Sequence, residues 1–153
     1  MNKRVLGLAL IAVVFSAFAI NATIERHHED DNIKAAIEDG YVHGAFNELN
    51  PEAMKKTFHE DFAIFSTDGK KLNKYPIDAW VQGTERRKNS ENFNPEDNVW
   101  EHKFVDISYD GKAASVKLEL HHKGEHVYTD YLSLLKFDDG WKIVAKVYHQ
   151  HNQ

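Results

Sequence analysis

From Val99 to Tyr148 the apolar residues of this 153-residue chain recur at every second position, interrupted at Asp110-Gly111, Lys123-Gly124 and Asp139-Gly140 by tight-turn signals. That pattern predicts four consecutive antiparallel strands. Upstream the period is helical. Ile33, Ile37, Tyr41 and Ala45 stand four apart on one stripe. Asn50-Pro51 then opens a short second helix burying Met54 and Phe58, and Pro76 opens a third with Ile77, Trp80, Val81 and Thr84 on one face. Between the last two, "FAIFSTDGKKLNKYP" reads as an irregular strand pair around Asp68-Gly69. Three helices followed by a meander give an α+β chain whose helices cover one face of an antiparallel sheet.

Turn lengths set the expected register. A two-residue turn at Lys123-Gly124 sets Leu118 opposite Thr129 and Val116 opposite Tyr131. A three-residue turn through Asp138-Asp139-Gly140 sets Phe137 opposite Trp141, Ser133 opposite Ala145, Tyr131 opposite Val147 and Thr129 opposite His149. A two-residue turn there would turn Trp141 and Ile143 away from the core. With the longer turn, Leu118, Tyr131, Leu135, Phe137, Trp141, Ile143 and Val147 look inward. Leu132, Leu134, Val144 and Tyr148 form an outer apolar patch among lysines, and Asp130 pairs with Lys117 outside. An apolar patch of that kind marks an interface, here a homodimer through the outer sheet face.

"MNKRVLGLALIAVVFSAFAINAT" has Lys3 and Arg4, then an uncharged apolar run to Ile20. It reads as a secretory signal peptide over residues 1–22, cleaved after Ala19 or Ala22, and implies a secreted or periplasmic protein with no membrane attachment after cleavage. Residues 23–153 then form one domain. There is no cysteine, so neither disulfides nor thiol chemistry are available. Loss of residues 1–19, which hold two basic residues and no acid, moves the formal charge from −5 to −7. That surface argues against nucleic acid, and Arg86-Arg87-Lys88 reads as a solvated helix end.

The stretches "YVHGAFNELNPEAMKKTFHEDFAIFSTDGK", "PIDAW", "VDISYDGKAASVKLEL" and "TDYLSLLKFDDGWKIVAKVYH" resemble the NTF2-like superfamily, in the branch of lumazine-binding and SnoaL-like proteins. The resemblance covers nearly all of residues 30–149. It implies a cystatin-like cone: a curved sheet wrapped around the first long helix, a pocket at the wide end, and dimerisation through the outer sheet face. The superfamily includes ketosteroid isomerases and polyketide cyclases as well as members without catalysis. Tyr41 matches the isomerases' oxyanion-binding tyrosine, whereas Ser66 stands where they carry an aspartate base. A serine hydroxyl cannot shuttle protons near neutral pH without an activating base.

The ligand-binding candidates are therefore Tyr41, Phe62, Trp80, Trp100, Thr129, Tyr131 and His149. The catalytic candidates are Tyr41 as oxyanion donor with His149 or Asp130 as base, Asp130 being the only carboxylate well inside the last two strands. No phosphate-binding, dinucleotide or nucleophile-elbow motif is present, so no cofactor is expected. His149-x-His151 and the trio His121, His122 and His126 around one turn invite a metal reading, but spacing alone supplies no third ligand, and no metal is expected. The favoured function is binding of a small, partly aromatic organic molecule in the cone. An isomerase or cyclase, and a dimer that binds only protein, are the alternatives.

Overall fold

The computed structural model describes residues 26–151, in two units divided after Ile33. The signal-peptide reading lies outside these residues. Residues 26–33 are helical. In the second unit, helix α1 (residues 34–47) is wound as a π-helix over Ile37–Asn47 and buries Ile37, Tyr41 and Ala45, the expected stripe. Helix α2 (Pro51–Thr57) starts where Asn50 Oδ1 accepts the amides of Glu52 and Ala53 at 3.2 and 3.3 Å, an N-cap. It lies hard against α1 because Gly40 has no side chain. A Cβ there would stand 2.0 Å from Thr57 Oγ1, so only glycine fits. Helix α3 (Ile77–Lys88) buries Ile77, Val81 and Thr84. Among the described residues, no helix is long and apolar enough to cross a membrane.

The strands are β1 (Phe58–Thr67), β2 (Leu72–Pro76), β3 (Trp100–Asp110), β4 (Ala113–His122), β5 (Glu125–Phe137) and β6 (Gly140–Gln150). They form one curved sheet in the order β2-β1-β6-β5-β4-β3. The sheet is mixed, since β1 runs parallel to β6, which the expectation of a wholly antiparallel sheet did not include. Three β-bulges bend its antiparallel part. At each, one valine lacks a partner: Val105 in β3, Val127 in β5 and Val144 in β6.

The bulges overturn half of the expected face assignment. Lys123-Gly124 does make a two-residue turn, with His122 opposite Glu125. The extra Val127 then slips β5 by one place, so that Leu118 faces Asp130 and Lys117 faces Tyr131. Every side chain beyond the bulge changes face. Leu132 and Leu134 are therefore core residues, each 1% exposed, and belong to no outer patch, while Tyr131 and Val147 are outside at 48% and 49%. Leu135 and Phe137 likewise lie exposed. The last turn is also shorter than expected: Asp138-Asp139 alone connects the strands and Phe137 faces Gly140. With β5 inverted, that shorter turn keeps Trp141 and Ile143 inside, at 6% and 0%. The unpaired Val144 next restores the expected pairs Ser133–Ala145, Tyr131–Val147 and Thr129–His149, and carries Lys146 to the inner face.

Candidate functional site

Two bulges thus deliver two charges into an apolar interior. Asp130 is fully buried and Lys146 nearly so, with Lys146 Nζ 2.9 Å from Asp130 Oδ1. The Lys117–Asp130 surface pair therefore does not exist. Lys117 instead lies over the Tyr131 ring at 5.8 Å. From α1, the Tyr41 hydroxyl donates to Asp130 Oδ2 and accepts from Lys146 Nζ at 2.5 Å. Asp130 Oδ1 takes the charge of the ammonium but no aligned hydrogen bond, so it is a buried acceptor with unused capacity. Burial, then the Asp130 charge, pushes the Tyr41 phenol well above its ordinary value. Tyr41 therefore keeps its proton and acts as a donor. Burial pulls Lys146 down, against the opposing pull of Asp130.

Five aromatic rings surround the ammonium. Lys146 Nζ lies 5.0 Å from the centroid of Tyr41, 5.1 from Tyr148, 5.7 from Phe46, 5.8 from Tyr128 and 5.9 from Trp80. At that range ring quadrupoles favour the charged form, which helps a lysine to stay in a largely apolar place. Above it opens a cavity of about 340 Å³ lined by Phe46, Ile64, Ser66, Tyr75, Trp80, Arg87, Tyr128, Lys146 and Tyr148. The size and the mixture of aromatic walls with a few polar groups suit a small organic ligand. Arg87 brings a second cation. Its guanidinium donates to the Phe46 carbonyl and to Asn98 Oδ1, both at 3.3 Å, so Arg87 is exposed at the end of α3, as expected, and also forms part of the cavity wall.

Of the sequence-derived candidates, Trp80 lines the cavity. Tyr41 and Asp130 are buried with Lys146 without lining the cavity, and Phe62 is buried, its ring stacked 6.0 Å from Trp80. Trp100 stands off to the side, stacked on Tyr128 at 5.9 Å and on His122 at 4.6 Å. Thr129, Tyr131 and His149 belong to the other face of the sheet, because the Val127 bulge alternates them with Asp130. Sequence reasoning missed Lys146, Arg87 and Tyr128, and set Tyr148 in the outer patch although it lines the cavity. The available signal was a strand apolar at both parities, which an unrecognised bulge produces.

Comparison with known proteins agrees with this architecture. The sequence matches, over residues 28–149, the family described as "Putative lumazine-binding". No curated protein matches it. The fold is similar to an NTF2-like protein of unknown function from Silicibacter pomeroyi DSS-3, 20% identical, covering 82% of this chain and 98% of that one with a TM-score of 0.66. A second, from Shewanella baltica OS155, is 24% identical over 85% of this chain and 97% of that one, also at 0.66. A third, from Methylobacillus flagellatus KT, is 26% identical over 82% and 94%, at 0.60.

Proposed function

The chain belongs to the lumazine-binding family of NTF2-like proteins, and from that premise we propose that it binds, without transforming, a small planar molecule carrying an acidic or carbonyl edge. The observation that carries this reading is Lys146, a cation at the wall of an aromatic cavity and locked from behind by Asp130 and Tyr41. A flat heterocycle would stack against Trp80 and Tyr128 and turn its electron-rich edge toward Lys146 and Arg87. Catalysis is disfavoured by what surrounds it. Tyr41 and Asp130 are engaged with each other and with Lys146, the cavity lining offers Ser66 no carboxylate or imidazole, and His149 is on the opposite face.

Titration of the chain with a pteridinedione, read by quenching of its tryptophan fluorescence, to which Trp80 in the cavity wall contributes, should saturate. Lys146→Met should weaken binding by about tenfold or more, which corresponds to about 1.4 kcal/mol, while His149→Ala should leave it unchanged. Affinity for an anionic ligand should fall as pH rises, and at a pH below the ordinary lysine value of 10.5, because burial makes this ammonium lose its proton early. Unchanged affinity in Lys146→Met would sink the reading. Conversion of the ligand by wild type, lost in Tyr41→Phe, would replace it with the isomerase reading.

The reading extends to an exported homodimer. The amino-terminal stretch fits a signal peptide, and Tyr131, Leu135 and Val147 leave apolar surface on the outer sheet face, where Leu132 and Leu134 cannot contribute. Intact mass of the exported protein should show a chain beginning at Ile20 or Thr23, and sedimentation at micromolar concentration should show twice that mass. A full-length chain, or a monomer only, contradicts the corresponding half.

A further inference from the structure

The Val127 bulge also builds a second cluster, on the face of the sheet away from the cavity. With Val127 and Tyr128 consecutive and both turned inward, His126 and Thr129 share the outer side, across from His121 and Glu119 of β4. Donor atoms of Glu119, His121 and His126 all lie within 4.8 Å of one another, and His121 Nε2 is 3.7 Å from Glu119 Oε2. A third imidazole joins them from just beyond the end of β6. The His151 and His126 rings are 3.9 Å apart, and their Nε2 atoms lie 2.9 and 3.0 Å from the Thr129 hydroxyl. The backbone holds this fourth residue in place, since the His151 amide donates to the Val127 carbonyl at 2.9 Å.

We propose that Glu119, His121 and His126 bind one zinc-class divalent transition-metal ion, with His151 positioned to complete the coordination. Two donors on a tetrahedral zinc, each about 2.1 Å from the metal, stand about 3.4 Å apart. The Glu119–His121 pair is already close to that, and the widest separation closes through rotation of side chains that are only half-buried. Three imidazoles and one carboxylate, without thiolate, select an ion of borderline softness over magnesium or calcium, which take oxygen ligands. Lys103, whose Nζ is 3.6 Å from Glu119 Oε2, is mostly exposed and can swing into water when a metal takes the carboxylate. His126 Nε2 also lies 3.0 Å from the Tyr128 carbonyl, a backbone contact that fixes the ring's orientation. The other candidate triplet, His59, Glu60 and Asp61, is consecutive in sequence and mainly exposed. There His59 Nδ1 already accepts the Asp61 amide and the ring stacks on Phe137, so it carries no such proposal.

The test uses the full chain, stripped with EDTA and titrated calorimetrically with zinc chloride. The expected result is one zinc per chain, displaced by neither magnesium nor calcium. Glu119→Gln and His121→Gln should each weaken binding by about tenfold or more, and His59→Gln should leave it unchanged. Melting in EDTA checks that the variants fold. Zinc should raise the melting temperature of wild type and not of a Glu119→Gln/His121→Gln chain. In unsubstituted protein, one equivalent of zinc should shift the imidazole nitrogen resonances of His121 and His126, a readout that survives even if the variants misfold. Absence of saturable binding below about 100 µM, binding retained in the double variant, or resonance shifts confined to His27, His28 or His59 would each overturn the proposal.

Discussion

Asp130→Ala should lower the stability of this protein by about 3–5 kcal/mol, because it leaves the Lys146 ammonium buried without its counter-charge and removes the acceptor of the Tyr41 hydroxyl. For a domain of this length that is a fall in melting temperature on the order of 10 °C. The loss reflects one partner stranded, not a large net gain from the pair. Dehydrating two charges costs several kcal/mol each and consumes most of their attraction. Tyr41→Phe/Asp130→Leu/Lys146→Met, which replaces the whole group by apolar side chains of similar size, should therefore recover most of the stability lost in Asp130→Ala. It should at the same time lose affinity for the planar ligand. Chemical denaturation of the two variants, set beside their ligand titrations, makes the comparison. If Asp130→Ala melts within about 2 °C of wild type, the pair is not dehydrated as its burial implies. If the triple variant binds as wild type does, Lys146 is not the ligand's anchor.

That separation of stability from function bears on why the site is built as it is. A lysine facing an aromatic cavity could instead fold back onto a ring or reach for solvent. Here a carboxylate and a phenol from two other elements, β5 and α1, hold its nitrogen in one place. Preorganisation of this kind reduces the ordering cost of binding and so contributes affinity that the same cation on a free tether would not. It also fixes the division of labour. Asp130 and Tyr41 position, while Lys146 and Arg87 meet the ligand.

Much of the fold was legible in the sequence because its signals are local. The Asn50 cap, the Pro76 helix start and the turns signalled by Lys123-Gly124 and Asp110-Gly111 are each written in two to five adjacent residues, the α1 stripe is written in a regular four-residue spacing, and the structure has them all. The inner face of β4, with Val116, Leu118 and Leu120 buried, follows from plain alternation. What escaped was parity beyond the bulges. A bulge requires no particular side chain, and valine at 105, 127 and 144 is what an ordinary strand would carry. In the last hairpin two departures cancelled: a turn one residue shorter than expected and an extra Val144 left Ser133 opposite Ala145 and Thr129 opposite His149 all the same. Val127 had no such compensation. Asp130 was therefore expected in water and His149 in the pocket, and their places are reversed.

Deleting Val127 should consequently do more damage than any single side-chain change. Removal of the unpaired residue lets β5 pair with β4 in plain alternation, and every position from Thr129 onward would have to exchange faces or break the ladder. Leu132 and Leu134 would leave the core at about 1.5–3 kcal/mol each. Asp130 would turn outward, stranding Lys146 inside at about 3–5 kcal/mol. Together these approach the whole stability of an ordinary domain, about 5–15 kcal/mol. The deletion variant should show no cooperative melt and should bind neither the planar ligand nor zinc. Val127→Ala, which keeps the extra residue and trims only a buried side chain, should by contrast fold and keep both activities, with a loss of about 1–3 kcal/mol. A deletion variant that melts cooperatively near wild type would mean that the strand can discard the bulge, and the inward placement of Asp130 and the outward placement of His126 beside Thr129 would both lose their structural cause.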